Sequence, residues 1–353
     1  MSRRHVLTAL VAIAGTVAAG CTSTRTSAPD TAITVYSASG LGDWYKSQFE
    51  KFTSETGVAV NLFEAGSGEL VSRVNSRAVW ERVDGDKSVP PADLLVVLPP
   101  FIQKAAKAGV LQPDGVTATG ISSELADPAG MFVPIVTTAL CFIVNPGTDP
   151  RPVTWEDLLR PALKGKVQYS TPGAAGDGTA LLLLLQRLMG RQAALDYLSR
   201  LQTNNVGPAS STGSLQAKVD SGELSVANGD VQMNLAAIKS HGMRFSIFFP
   251  AMPDNSRTTV SMSYVAGVTA ASRRPEEARK LLELLLSDDA QRAVHSQASG
   301  IPVRDSIARE AARDRSGTTP AGLLTGVDLW VPDWNTVLAE LDGDLEAYKK
   351  AVQ

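Results

Sequence analysis

The stretch AITVYSASGLGDWYKSQFEKFTSETGVAVNLFEAGSGELVSRV, residues 32–74, predicts the fold class. ITVY is a short β-branched and aromatic run typical of a strand, and SASG follows it as a polar loop. The next fifteen residues space Trp44, Phe49 and Phe52 among charges, as an amphipathic helix does, and Gly57 ends that helix. VAVNLFE, AGSG and ELVSRVNSRAVW repeat the same order of strand, loop and helix.

The third repeat, ADLLVVL followed by PPFIQKAAKAGVL, makes this a doubly wound α/β sheet of parallel strands. ADLLVVL is continuously apolar, which indicates a strand buried on both faces. Ligands bind such sheets at the carboxyl ends of the strands. The loops at those ends are residues 37–40, 65–68 and 98–100.

A second α/β set follows a long extended stretch, MFVPIVTTALCFIVN, that is suited to crossing between two lobes. It contains polar turns before helices at residues 169–179, 209–214 and 228–230. Further extended segments lead back to the strongest helical pattern in the chain, RRPEEARKLLELLLSDDAQRAV. We therefore predict two lobes, residues 33–138 with 258–353 and residues 139–257, joined by extended crossover strands.

The loop YSTPGAAGDGTA before the apolar run LLLLL has three interpretations. Gly173, four residues, Gly178 and Thr179 nearly form a phosphate-binding P-loop, but no lysine stands between Gly178 and Thr179. The glycines could serve only a tight turn. The loop could also bind a small anion through free N–H groups at a helix start.

The amino-terminal segment predicts export. Arg3 and Arg4 precede an apolar run of about 14 residues, which is shorter than the roughly 20 that span a membrane, so residues 1–20 are interpreted as a signal peptide. Ala18-Ala19-Gly20-Cys21 resembles the lipobox of bacterial lipoproteins, which implies a lipid anchor at Cys21. Residues 21–32 are rich in Ser and Thr and are predicted to form a flexible tether.

Composition disfavours several functions. Without residues 1–20 the chain has 31 basic and 36 acidic side chains, which argues against a nucleic-acid partner. Cys141 is the one cysteine after Cys21, and His241 and His295 are the histidines of that part, so nucleophile–base pairs and metal clusters are hard to assemble. No catalytic residue, metal site or cofactor is predicted, and a monomer is expected.

The chain resembles the 2-aminoethylphosphonate-binding proteins of ABC importers, a family of extracellular solute-binding proteins. The segments TVYSASGLGDWY, ADLLVVLPPFIQKAA, YSTPGAAGDGTA, LQTNNVGPASSTGSL, VANGDVQMNLA and GVDLWVPDWNTV carry the resemblance in family order across nearly the whole chain. The resemblance implies a type II periplasmic-binding-protein fold, a phosphonate held between the lobes, delivery to a membrane permease, and attachment at the cell surface or in the periplasm.

Polar loops and the resemblance together give a predicted ligand-binding set. Hydroxyls and free N–H groups would hold the phosphonate, and a carboxylate would hold the ammonium. Of the acids shared with the family pattern, Glu64, Asp177 and Asp230, the last two are favoured for the ammonium. The full set is Ser37, Ala38, Ser39, Gly66, Ser67, Gly68, Pro99, Thr171, Asp177, Gly178, Thr179, Ser211, Thr212, Asn228, Asp230 and Tyr264.

Alternatives remain open at this stage. Ser39 stands where the family often has an acid, so a related phosphonate is another candidate ligand. A ferric-ion-binding protein shares the fold, but the adjacent tyrosine pair of that family is absent, because Ser263 precedes Tyr264. An enzyme acting on phosphorylated substrates would need a metal cluster or cations in the loops. A surface lipoprotein with a purely structural role is the fourth possibility.

Overall fold

The computed structural model describes residues 32–80, 91–117, 120–121 and 127–353, without the side chains of residues 77–80. The predicted signal peptide, Cys21 and nearly all of the tether lie outside the described residues. Residues 32–353 form one compact unit. Within the described part of the chain, no helix has the length and apolar character needed to cross a membrane.

Ten strands form the sheet framework of the described residues. They are β1 (Ala32–Ala38), β2 (Ala59–Ala65), β3 (Leu94–Val97), β4 (Val133–Val144), β5 (Val167–Gln168), β6 (Val226–Asp230), β7 (Ser246–Phe248), β8 (Thr258–Val268), β9 (Ile301–Pro302) and β10 (Asp328–Trp330).

In the part of the chain that the structure describes, twelve α-helices accompany this framework. They are α1 (Gly42–Thr56), α2 (Ser67–Trp80), α3 (Phe101–Lys107), α4 (Gly176–Met189), α5 (Arg191–Leu201), α6 (Leu215–Asp220), α7 (Val231–His241), α8 (Pro275–Leu285), α9 (Asp288–Ala293), α10 (Asp305–Ala311), α11 (Pro320–Leu323) and α12 (Trp334–Ala351). Short 3₁₀-helices at Glu156–Leu159 and Pro161–Leu163 and a π-helix at Val294–Ala298 lie between these elements.

The strand order β2-β1-β3-β8-β4-β6-β5 confirms the predicted α/β class. β1 pairs in parallel with β2 and β3, and β5 pairs in parallel with β6. The long strand β4 joins the two parts, since residues 133–139 pair with β8 and residues 140–144 pair with β6. The extended stretch predicted to cross between lobes is therefore a strand of both sheet segments. The exact lobe boundaries stay a prediction.

The core forms where the sequence is most regularly apolar. All four residues of β3 are buried, as its continuous apolar run predicts. Helix α8 begins with Pro275 and buries Ala278, Leu281, Leu282 and Leu285 on one face, while Glu276 and Glu277 occupy its first turn. Cys141 is buried in β4, as predicted.

Parallel register brings the functional loops to one edge. Ala38 pairs with Ala65 at the ends of β1 and β2, and Ser37 pairs with Val96 near the end of β3. The loops that follow these three strands therefore start side by side. In the second sheet segment β6 ends at Asp230 and α7 begins at Val231, so the chain turns directly from strand to helix there.

Candidate functional site

Loops from both sheet segments enclose a small cavity of about 20 Å³, room for about one water molecule. The first segment contributes the ends of β1, β2 and β3, and the second contributes the start of α4 and the loop before α6. The lining residues are Ala38, Ser39, Ala65, Gly66, Ser67, Leu98, Gly176, Asp177, Ser211, Thr212 and Gly213. Seven of them, Ala38, Ser39, Gly66, Ser67, Asp177, Ser211 and Thr212, belong to the predicted ligand-binding set.

Two glycines allow the loops to meet backbone to backbone. A Cβ at Gly66 would lie 2.1 Å from the carbonyl oxygen of Ser210, and one at Gly68 would lie 2.0 Å from that of Gly173. The Gly68 N–H also donates to the Ala174 carbonyl at 2.9 Å. Any side chain at these positions would push the two loops apart, so the glycines are required by this closed arrangement.

Neutral donors surround the cavity. The Ser67 hydroxyl accepts from the Leu98 N–H at 3.2 Å, which leaves its own hydrogen to donate. Helix α4 begins without a side-chain cap at Ala175, so the first N–H groups of the helix lack the partner that a cap would supply. No lysine or arginine is among the residues that line the cavity. The site can therefore hold an anion by hydrogen bonds without an opposing cation.

Asp177 is the acid that faces the cavity. It lies in the first turn of α4, is 4% exposed, and its Oδ1 has no hydrogen-bond partner. Burial, and then the charge of Asp230, raise the pKa of Asp177 to about 8, while the Thr212 hydroxyl opposes the rise. An orphaned carboxylate oxygen in such a place calls for a cationic or hydrogen-donating partner.

Asp230 lies behind the cavity and is fully hydrogen-bonded. As the N-cap of α7 it accepts from the Met233 N–H at 2.9 Å, and Thr138 donates to the same oxygen at 2.9 Å. Its other oxygen lies 2.9 Å from the hydroxyl of Tyr264. Burial raises the pKa of Asp230 as well, although its hydrogen bonds oppose the rise.

The structure places Tyr264 in the protein interior. The side chain is fully buried on β8, and its hydroxyl lies 3.0 Å from the Ser39 carbonyl and 2.9 Å from Asp230. It therefore bridges the β1–α1 loop and the start of α7, and it is not among the residues that line the cavity.

The other predicted residues support the loops or lie elsewhere. The buried Ser37 hydroxyl lies 3.1 Å from that of Tyr45, and Thr179 bonds the Ala175 carbonyl within its own loop. Asn228 accepts from the Ser170 N–H, and the Thr171 hydroxyl accepts from the Ala209 N–H. Gly178 packs against the backbone carbonyl of Ser170. Pro99 lines a separate cavity, together with Trp334.

Two residues near the site, Gln232 and Gly213, are missing from the predicted ligand-binding set. Gln232 is fully buried and donates to the Gly40 carbonyl at 2.8 Å and the Ala298 carbonyl at 2.7 Å, which ties α7 to the β1–α1 loop. Gly213 lines the cavity, and a Cβ added at Gly213 would lie 3.2 Å from the Cβ of Ser39. A glutamine two residues after a capping aspartate has no local pattern that would single it out.

A wider cavity of about 180 Å³ adjoins the first one, since Ser39 and Gly213 line both. Glu64, the third acid considered from the sequence, is exposed at its wall. Partial desolvation at this wall raises the pKa of Glu64, against the effect of a hydrogen bond from the Gly40 N–H. Across residues 32–353, outside the undescribed gaps, no cluster of three His, Cys, Asp or Glu side chains is placed to hold a metal ion.

Two α/β sheet segments that share the long strand β4 and enclose a polar cavity define a two-lobed solute-binding protein. The profile of the bacterial extracellular solute-binding proteins matches residues 33–297, and the chain belongs to that family.

Two kinds of relatives agree with this assignment. A periplasmic protein of Salmonella typhimurium, for which binding of 2-aminoethylphosphonate is proposed, is 38% identical over 330 residues, 92% of this chain and 93% of that protein. The solved structure of the periplasmic binding protein P5PA superposes with a TM-score of 0.74 at 19% identity, covering 91% of this chain and 99% of its own. A ferric binding protein from Campylobacter jejuni superposes with a TM-score of 0.66 at 19% identity, covering 90% of this chain and 99% of its own. These structures confirm the type II periplasmic-binding-protein fold. At 19% identity, the likeness concerns the fold and not the ligand.

Proposed function

We propose that the protein captures 2-aminoethylphosphonate, or a closely related aminophosphonate, between its lobes and delivers it to the membrane permease of an ABC importer. The observation that carries the proposal is the partnerless Oδ1 of Asp177, buried in a cavity otherwise lined by neutral donors. A ligand with an anionic end and an ammonium end satisfies both features at once. The Salmonella relative supports the same ligand.

The phosphonate end binds to hydroxyls and N–H groups. The side chains of Ser39, Ser67 and Ser211 line the cavity with the start of α4. Donors of this kind hold a doubly charged anion well because they are fixed in place before the ligand arrives. The lobes separate to admit the ligand, since the cavity of about 20 Å³ in the closed arrangement is smaller than any aminophosphonate.

The ammonium end binds to Asp177. A cation beside this carboxyl compensates its burial, the largest effect that raises its pKa. Asp230 lies behind Asp177, and protein groups already occupy both of its oxygens with hydrogen bonds. Phosphate and simple alkylphosphonates lack the ammonium and leave Asp177 unpaired, so they bind less tightly.

The ferric-ion alternative has less support. Tyrosine hydroxyls would serve as iron ligands, but Tyr264 is engaged with the Ser39 carbonyl and Asp230 and does not line the cavity. The likeness to the Campylobacter protein concerns the fold. We propose binding without chemical conversion of the ligand.

Export and anchoring complete the proposed function. The predicted signal peptide and Cys21 would place the protein outside the cytoplasm, tethered to the cell membrane by a lipid. The ligand favours the closed state and shifts the population toward it, and the permease engages that state. Replacing Cys21 by Ser and following incorporation of labelled fatty acid tests the anchor, and unchanged labelling would contradict it.

Calorimetric titration tests the ligand. A soluble form that begins after Cys21 retains the compact unit, residues 32–353. We expect tight binding of 2-aminoethylphosphonate, weaker binding of methylphosphonate and phosphate, and none of ferric citrate. Heat from ferric citrate alone would overturn the proposal. Equal affinity for methylphosphonate and the aminophosphonate would remove the role of Asp177 while keeping a phosphonate-binding protein.

A further inference from the structure

The hydrogens around Asp230 can be counted, because each neighbour has a defined capacity to donate. The Oδ1 side is simple. The Gln232 N–H donates to the Thr138 hydroxyl oxygen at 3.0 Å, so the hydroxyl hydrogen of Thr138 points to Asp230 Oδ1. The Met233 N–H donates to the same atom. Oδ1 therefore accepts two hydrogen bonds, as a carbonyl oxygen does.

The Oδ2 side has one hydrogen too few if Asp230 is ionised. The Tyr264 hydroxyl lies 2.9 Å from Oδ2 and 3.0 Å from the carbonyl oxygen of Ser39. A phenol has one hydrogen, and a carbonyl oxygen can only accept. Two full hydrogen bonds form at once when Oδ2 carries a proton, donates it to the Tyr264 oxygen, and lets Tyr264 donate to Ser39, whereas an ionised Asp230 would leave one phenol hydrogen shared between two acceptors.

We infer that Asp230 is a neutral carboxylic acid in the closed protein, and that its proton sets the direction of a hydrogen-bond chain from Asp230 through Tyr264 to the backbone of Ser39. Asp230 is then a positioning residue. It holds the β1–α1 loop, whose Ser39 lines the ligand cavity, against the start of α7.

The surroundings of Asp230 favour the neutral form. The titratable groups that face it are Asp177 from α4, the Cys141 thiol from β4 and the Tyr264 phenol from β8, with the Tyr45 phenol from α1 acting on Tyr264. Each of them is neutral or negative. No ion pair to Asp177 or Asp230 exists among residues 32–353 as far as the structure describes them. Removing the charge of Asp230 leaves Asp177 as the one acid that must ionise when a cation arrives.

The two roles, one neutral acid and one ionised acid, rest on the proposed function, because they give the site one negative charge to bind one ammonium. The proton itself does not depend on the ligand's identity. Two acids in close proximity can share the work in this way when burial keeps one of them neutral.

Infrared difference spectroscopy tests the proton directly. The spectrum of the protein with 2-aminoethylphosphonate minus that of Asp230→Asn should show the carbonyl band of a protonated carboxylic acid at pH 7. Absence of that band, with a carboxylate band in its place, would overturn the inference. The same difference without ligand tests the proton even if no phosphonate binds, so the two proposals can fail separately.

Substitution provides a second, functional test. Asparagine can accept from Thr138 and Met233 through Oδ1 and donate to Tyr264 through Nδ2, and it is as good an N-cap as aspartate. Asp230→Ala should lower the affinity roughly tenfold or more by leaving several partners unsatisfied. Asp230→Asn should recover it to within about threefold of the unchanged protein. If Asp230→Asn is as weak as Asp230→Ala at an unchanged melting temperature, Asp230 acts through a negative charge and the inference is wrong.

Discussion

At the scale of single residues, the site depends on two acids that look alike in the sequence and differ in the structure. Asp177 and Asp230 both follow glycine-containing polar turns at helix starts. Asp230 has every oxygen engaged, whereas Asp177 keeps an orphaned Oδ1 in the cavity. The side-chain partners of Asp230 come from β4 and β8, far away in the chain, so no local pattern separates the two roles.

Asp177→Asn should reduce the preference of the site for an aminophosphonate over a simple phosphonate. Loss of the carboxylate removes a charge-assisted hydrogen bond worth about 1.5–3 kcal/mol, so affinity for 2-aminoethylphosphonate should fall roughly ten- to a hundredfold. Affinity for methylphosphonate should stay level, because this ligand has no ammonium for the Asp177 carboxylate to bind. Calorimetry with both ligands measures the ratio.

The matched control for that experiment is Asp328→Asn. Asp328 is an exposed acid on β10 without an ion pair to a described side chain. Its substitution should leave both affinities unchanged. Equal losses for the two ligands in Asp177→Asn would show that the variant damages the site as a whole, and would contradict the ammonium role.

Proton release should accompany binding. The pKa of Asp177 is raised to about 8 in the unliganded protein, and an ammonium beside it lowers that pKa. Below about pH 8 the free carboxyl therefore carries a proton that the complex expels. Affinity should accordingly rise with pH and level off above about 8, and it should be lost as the pH falls through the lowered pKa of the complex.

Binding enthalpies in buffers of different ionisation enthalpy measure this proton. Ethylphosphonate, which lacks the ammonium, corrects for titration of the phosphonate itself. Asp177→Asn should abolish the corrected release. A corrected release that persists in Asp177→Asn would assign the proton to another group.

At the scale of elements, the β2–α2 loop and the loop before α4 meet at two glycines. Gly68→Ala would place a Cβ 2.0 Å from the Gly173 carbonyl oxygen, where something must shift. Overpacking of this kind costs about 1–3 kcal/mol, and here the cost falls on the closed arrangement, so affinity should drop about ten- to a hundredfold. Because the loops can part, the melting temperature without ligand should change little.

Gly343→Ala is the control for a glycine with free space. An added Cβ there meets nothing within 4 Å, and the residue lies inside α12. Helix propensity predicts about 1 kcal/mol of added stability at unchanged affinity. If Gly68→Ala destabilises the ligand-free protein by as much free energy as it removes from binding, the contact of Gly68 stabilises the fold in general. The substitution would then not act on closure.

Much of the element pattern could be predicted from the sequence, because period and turn chemistry are local. The first three strand–loop–helix repeats, the buried β3 and the amphipathic α8 are as predicted. Seven of the sixteen predicted ligand residues line one cavity. Tyr264 and Gln232 show the limit. Partners from other parts of the chain decide where such side chains point. Tyr264 contacts Ser39 and Asp230, and Gln232 contacts Gly40.

At the scale of the whole molecule, ligand capture should appear as a change in size. Most of the cavity wall comes from loops of both sheet segments that meet only when these segments approach, so the ligand-free solution should contain a more open population. Small-angle scattering should show the radius of gyration falling, on addition of 2-aminoethylphosphonate, toward about 20 Å, the value for a compact chain of this length. Ligand at a hundredfold its Kd should also stabilise the protein by about 2.7 kcal/mol. Gly68→Ala should keep the larger radius at ligand concentrations that saturate the unchanged protein. A radius that is the same with and without ligand, while calorimetry reports binding, would mean that the ligand enters a cavity already closed, and hinged closure would have to be abandoned.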